Sequence, residues 1–68
     1  MIRFKGDIFA ILKSAGYSTY RLRKESIFPG STVQKFREEP LEFNLITLDR
    51  LCKLTGLQPG DLIEYRKE

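Results

Sequence analysis

The sequence predicts an all-α domain of five short helices, with a small strand pair formed by the N- and C-terminal ends as the preferred arrangement of the termini. Three observations carry this. Apolar residues recur three and four apart in the segments that begin near Asp7, Ser18, Ser31 and Asn44, a spacing that gathers them on one helical face. Residues that stop helices separate those segments: Gly16, the run Phe28-Pro29-Gly30, and Gly56 followed by Pro59. The opening residues MIRFKG alternate with a period of two instead, which suits a strand or an extended arm.

The chain has 68 residues, enough for one domain, residues 1–68. A domain of that size buries only about 60% of the surface of its unfolded chain, so self-association is a natural source of extra stability. Hydrophobic content of 41% and charged content of 31% fit a soluble globular domain without low-complexity tracts or repeats. The apolar runs are far too short to span a bilayer, and the first residues lack the apolar core of a signal peptide. The expected location is the cytoplasm, with no membrane partner. One cysteine cannot staple the fold, and without histidine the usual zinc arrangements are absent, so neither metal nor cofactor is expected.

In chain order, MIRFKG has two readings. As an arm it would lay Arg3 and Lys5 along phosphates; as a strand it would pair with the tail Leu62 to Lys67, within one chain or across a dimer. The strand is preferred. Asp7 to Ala15 is the first helix: Asp7 caps it or favours its dipole, Ile8, Ile11, Leu12 and Ala15 form its inward stripe, and Gly16 ends it. Phe9 lies off the stripe and either widens the core or joins a dimer contact.

Ser18 to Arg37 reads as two short helices around a turn. Ser18 or Thr19 caps the first, whose inward residues are Leu22 and Ile27 or Phe28, while Arg21, Arg23 and Lys24 fall on other faces. Phe28-Pro29-Gly30 makes the turn. Ser31 or Thr32 caps the second helix, about residues 31–37, with Val33 and Phe36 inward and Gln34, Lys35 and Arg37 outward. This is the minimal helix-turn-helix, whose second helix a major groove admits. The charge distribution agrees: Met1 to Arg37 carries eight basic residues against Asp7 and Glu25, a net of +6, and the remainder sums to −3. A basic half bearing the two-helix motif suits a polyanion.

The connection Glu38-Glu39-Pro40-Leu41-Glu42-Phe43 is unusually acidic for a groove binder. Glu38, Glu39 and Glu42 are therefore expected to face solvent or to pair with Lys35 and Arg37. Phe43 anchors the entry to a fourth helix, about Leu45 to Thr55, capped by Asn44, burying Leu48, Leu51, Cys52 and Thr55 and ending at Gly56. Cys52 on that apolar face reads as a small core residue. Pro59 starts a last helix running to about Glu64, with Asp61 near its positive end. Leu62, Ile63 and Tyr65 serve the core or a subunit interface.

These features resemble the phage-repressor and Cro type of helix-turn-helix regulator, also called the XRE type, and in particular its very short single-domain members. Leu22 and Val33 keep that family's eleven-residue spacing between second and third helices, and Thr32 matches too. TLDRLCKLTGLQPGDLIEY, Thr47 to Tyr65, resembles the closing helices of the short members, including Cys52, the Pro59-Gly60-Asp61 start and the Glu64-Tyr65 end. The likeness spans about Asp7 to Tyr65. It departs at Arg23, where many repressors have a small buried residue, and at Ile27, where they have a turn glycine. The resemblance implies a lambda-repressor-like fold and a sequence-specific DNA-binding regulator of bacterial or phage type.

On that expectation double-stranded DNA and a second copy of the chain are the partners. Thr19, Gly30, Ser31, Gln34 and Lys35 match the family's base-reading surface. Arg21, Arg23, Lys24, Lys35, Arg37 and the cap Asn44 are the phosphate candidates. Ile2, Phe4, Phe9, Ile63 and Tyr65 are the dimer candidates. The alternative is a protein-interaction module on the same fold, an antitoxin or antirepressor, favoured by the acidic connection. Catalysis is not expected: the sequence offers no histidine, no convincing acid pair and no phosphate-cradling glycine loop.

Overall fold

A computed structural model of the protein describes residues 1–67. The order is β1 (Ile2–Phe4), α1 (Ile8–Ser14), α2 (Thr19–Lys24), α3 (Gly30–Lys35), α4 (Leu45–Thr55), α5 (Pro59–Leu62) and β2 (Ile63–Tyr65). The two strands pair antiparallel within the monomer, Ile2 opposite Tyr65 and Phe4 opposite Ile63, so MIRFKG is a strand and its partner is the tail. The helices enclose one core of Ile8, Leu12, Leu22, Phe28, Val33, Phe36, Leu48, Leu51 and Leu62.

Local chemistry sets most boundaries. The Asp7 carboxylate accepts from the N–H groups of Phe9 and Ala10, and Ser18 Oγ accepts from Arg21 N–H. Asn44 Oδ1 accepts from Thr47 N–H at 2.9 Å, and Gly56, at φ 73°, closes α4. Each cap occupies one of the backbone groups a helix end leaves unpaired. Three expectations need correction. Ala15 is exposed, because α1 stops at Ser14 and Ala15 is already its C-cap. Cys52 and Thr55 are half-buried, since they flank the Leu48–Leu51 stripe. α5 ends at Leu62 rather than Glu64, because Ile63 leaves helical geometry to pair with Phe4.

The turn between α2 and α3 also differs from expectation. α1 and α2 end in the same way: Tyr17 N–H reaches the Leu12 carbonyl and Gly16 N–H that of Lys13, while Ile27 N–H reaches Leu22 and Ser26 N–H reaches Arg23. This is the paired closure that needs a left-handed residue just past the helix. At the first site that residue is Gly16; at the second it is Ser26, at φ 50°. The turn therefore begins at Ser26, three residues before Pro29. Pro29 then occupies the N-cap position of α3 without a side-chain cap bond, so neither Ser31 nor Thr32 caps it, and Gly30 is helical. The recognition helix runs 30–35 rather than 31–37, with Phe36 as its C-cap.

Arg50, on α4, holds this turn from outside. Its Nη1 donates to the Ile27 carbonyl at 3.0 Å, and the guanidinium lies 5.9 Å from the Phe28 ring. Two measurements check this account. Ser26→Gly removes the left-handed penalty of a side chain and should raise stability by about 1 kcal/mol, or roughly 4–8 °C in melting temperature. Arg50→Met keeps the apolar stem but loses the hydrogen bond. It should cost about 1 kcal/mol and speed amide hydrogen exchange at Ser26 and Ile27 beyond the global change.

Candidate nucleic-acid interface

α3 is anchored on one side and open on the other. Val33 and Phe36 are buried, whereas Gly30, Ser31, Gln34 and Lys35 are exposed, as the helical period requires once two positions are committed to the core. Thr32 is half-buried. α2 crosses beside it with Leu22 buried and Arg21, Arg23 and Lys24 outside; Thr19, in its first turn, is half-buried. Of the two inward residues proposed after Leu22, Phe28 is buried and Ile27 half-buried, and both belong to the turn rather than to α2.

Between the two helices lies a cleft of about 500 Å³. It brings together Thr19 and Arg23 of α2, Ser26 of the turn, Gly30 and Gln34 of α3, and Arg37 just beyond, over a floor of Phe28 and Val33. Three of the base-contact candidates (Thr19, Gly30, Gln34) and two of the phosphate candidates (Arg23, Arg37) thus share one concave surface. Ser31 and Lys35 are exposed on α3 outside this cleft. Asn44 is remote from it in sequence, at the start of α4, with its Oδ1 already engaged as a cap.

The cations differ in freedom. Arg21 is held by its own chain: Nε donates to Glu25, Nη1 donates to the Gly16 carbonyl at 2.8 Å, and the guanidinium sits 4.8 Å from the Tyr17 ring. The hydrogen bond that Arg21 donates to Glu25, and then the charge of that carboxylate, raise the Arg21 pKa above its ordinary value. Arg37 lies over the Phe9 ring at 4.8 Å and Lys24 near that of Tyr20 at 5.7 Å, contacts that orient a cation while leaving its donors available. Among the described residues, Arg23, Lys24, Lys35 and Arg37 have no ion-pair partner. Four unneutralised cations border α2 and α3.

The acidic connection faces solvent, as expected, and makes one ion pair that was not expected. Glu38, Glu39 and Glu42 are exposed, and Glu39 pairs not with Lys35 or Arg37 but with Arg3 of β1 at 3.6 Å. β1 reaches this loop because Leu41 N–H donates to the Ile2 carbonyl. Phe43 anchors the loop as expected, stacked on Phe4 at 6.0 Å.

Of the dimer candidates, Phe4, Phe9 and Ile63 are half-buried against the protein's own core, leaving Ile2 and Tyr65 exposed. Sequence reasoning passed over Leu45 and Ile46, two exposed apolar residues opening α4. The signal for Ile46 was present, since it shares a face with Arg50 and Lys53 at helical spacing. Arg50 itself carried none, because its partner lies 23 residues away.

Among the described residues no helix is long and apolar enough to cross a membrane, and no group of three or more His, Cys, Asp or Glu side chains is placed to hold a metal ion. The sequence matches, over residues 8–68, the family model described as the Cro/C1-type HTH DNA-binding domain. No curated protein and no solved structure matches. The matched span takes in all five helices and the turn between α2 and α3. The chain belongs to the Cro/C1-type helix-turn-helix family, whose members are DNA-binding regulators and not enzymes.

Proposed function

We propose that this protein is a sequence-specific transcriptional regulator of bacterial or phage type, acting in the cytoplasm as a homodimer that occupies a two-fold operator. The observation that carries the reading is the outward edge of α3, Gly30, Ser31, Gln34 and Lys35, bordered by unpaired cations. A helix so presented fits the major groove. Arg23, Lys24 and Arg37 hold phosphates and fix the orientation of α3. Arg21 contributes less, because Glu25 neutralises its charge and, with the Gly16 carbonyl, holds the guanidinium against its own chain. Asn44 serves α4 as a cap first, and contacts phosphate through its remaining amide group.

Base reading falls to α3. Gln34 presents an amide able to pair bidentately with adenine, and Lys35 a point charge suited to the acceptors of guanine. Thr19, Gly30 and Ser31 form the close-approach surface around them. A single α3 reads only a few base pairs, so a dimer on half-sites about 34 Å apart supplies the rest of the specificity. Occupying such a site blocks or assists polymerase.

The second reading is a protein-interaction module, an antitoxin or antirepressor. The observation in its favour is the exposed apolar pair Leu45 and Ile46 at the start of α4. Titration of a fluorescent mixed-sequence duplex, followed by anisotropy at several salt concentrations, separates the two. The regulator binds with an affinity that falls linearly on log–log axes, with a slope of about −0.9 per phosphate contacted. No binding at low salt would sink it in favour of the module.

The roles within α3 are tested on a selected operator. Lys35→Ala should weaken binding and, if the amine meets phosphate as well as base, reduce the salt slope by about one. Gln34→Ala should leave the slope unchanged and cost about 1–3 kcal/mol of discrimination at one base pair.

A further inference from the structure

The cleft between α2 and α3 combines an apolar floor with a cationic rim. Phe28 and Val33 form the floor, while Arg23, Arg37 and the amide of Gln34 stand around it. No carboxylate lines it. Among the described residues neither arginine has an ion-pair partner. The Phe9 ring meets Arg37 through its face at 4.8 Å, which orients the guanidinium and leaves its N–H groups unused.

Its size suits a small molecule. At about 500 Å³ it falls within the range of ligand sites, which are concave and set a few convergent polar groups on an apolar lining. Gly30 stands in its wall with no structural need for glycine. Its φ lies outside the left-handed region, and a Cβ built there would meet nothing within 4 Å. Glycine weakens a helix, so this position gives up helix stability and leaves the cleft open.

We infer that the cleft is an effector site for an aryl carboxylate, its anionic head on Arg23 and Arg37 and its ring on Phe28 and Val33. The lining selects this class. A sugar-phosphate strand would satisfy the arginines and leave the apolar floor unmatched, whereas a neutral aromatic would cover the floor and leave both charges unpaired. An amphipathic anion meets both, and the planar fork of a guanidinium matches a carboxylate in particular.

For its consequence the inference rests on the DNA reading above. Thr19, Gly30 and Gln34, three of the base-contact candidates, line the same cleft as the two arginines. An occupied cleft hides all five from a duplex. Ligand and DNA therefore oppose each other, each weakening the other by the same factor, and the anion acts as an inducer that releases the protein from its operator.

Benzoate and its neutral isostere benzamide, titrated into the isotope-labelled full chain and followed by amide chemical shifts, test the site. Benzoate should give saturable shifts centred on Ser26, Gly30 and Gln34. Benzamide should bind at least about tenfold more weakly, the loss of one charge-assisted contact. Arg23→Gln, and Gly30→Leu, which adds a side chain in the wall of the cleft, should each weaken benzoate by a similar factor with an unchanged circular dichroism spectrum. Shifts that do not saturate, that gather instead at the exposed apolar residues Ile46 and Tyr65, or that benzamide reproduces at equal concentration overturn the proposal. So does either variant if it binds benzoate normally.

Benzoate is also added to the complex with a fluorescent duplex at constant ionic strength, with acetate as the control. Release by benzoate and not by acetate supports the proposal; a complex unmoved by saturating benzoate overturns it. A wild type that binds no duplex counts against the DNA reading alone, since the chemical shifts need no DNA.

Discussion

The position of α3 depends on one side chain, Phe36. Its ring meets Phe28 at 5.2 Å, Phe43 at 5.6 Å, Phe4 at 6.0 Å and Phe9 at 6.4 Å. These partners come from the turn before α3, the loop before α4, the first strand and the first helix. The approaches of Phe4, Phe28 and Phe43 are edge-on and that of Phe9 is tilted, and each edge-on pair adds about 0.5–1.5 kcal/mol beyond the area it buries. Phe36 is the residue on which α3 ends, so the helix is fixed at its C-terminal end. Its outward edge, bearing Gly30, Ser31 and Gln34, is exposed. A fixed inner side gives those polar side chains a defined direction.

Much of this was legible in the sequence where a local signal decided the outcome. α4 runs from Leu45 to Thr55 as expected, because Asn44 and Gly56 are unambiguous start and stop residues and the stripe between them is long. The first strand was the preferred of two readings of a period of two, the other being an extended arm. The turn between α2 and α3 was misplaced, because glycine is the ordinary marker of a left-handed position and here Ser26 occupies it. Pro29 and Gly30 then drew the boundary too late. α5 was read too long because Leu62 to Tyr65 is too few residues to tell a helical period from a strand period.

The candidate site was legible only in part. Which residues of α3 face outward follows from Val33 and Phe36 being apolar. Which cations are free does not: the Glu25 partner of Arg21 is visible at helical spacing, but the Gly16 carbonyl that takes a second donor is a product of the fold. The same holds for Glu39, whose partner Arg3 arrives only because the strand pair carries β1 to the acidic loop. In this way the arrangement neutralises one of the three carboxylates of a segment that would otherwise repel phosphate near α3.

The strand pair also bears on how the chain reaches its native state. It joins the first residues of the sequence to the last described ones, and closing a loop that spans nearly the whole chain costs roughly 3–4 kcal/mol of entropy at this length. Three paired positions on each side cannot offset that alone, since an isolated two-stranded ribbon is marginal at best. The sheet is therefore stable only with α1 to α5 packed and holding the two ends close. In that state it seats Phe4 against Phe36 and Phe43. Contacts that orient α3 thus depend on the two ends of the chain being held together, so the direction of its polar edge is a property of the whole fold and not of the helix-turn-helix segment alone.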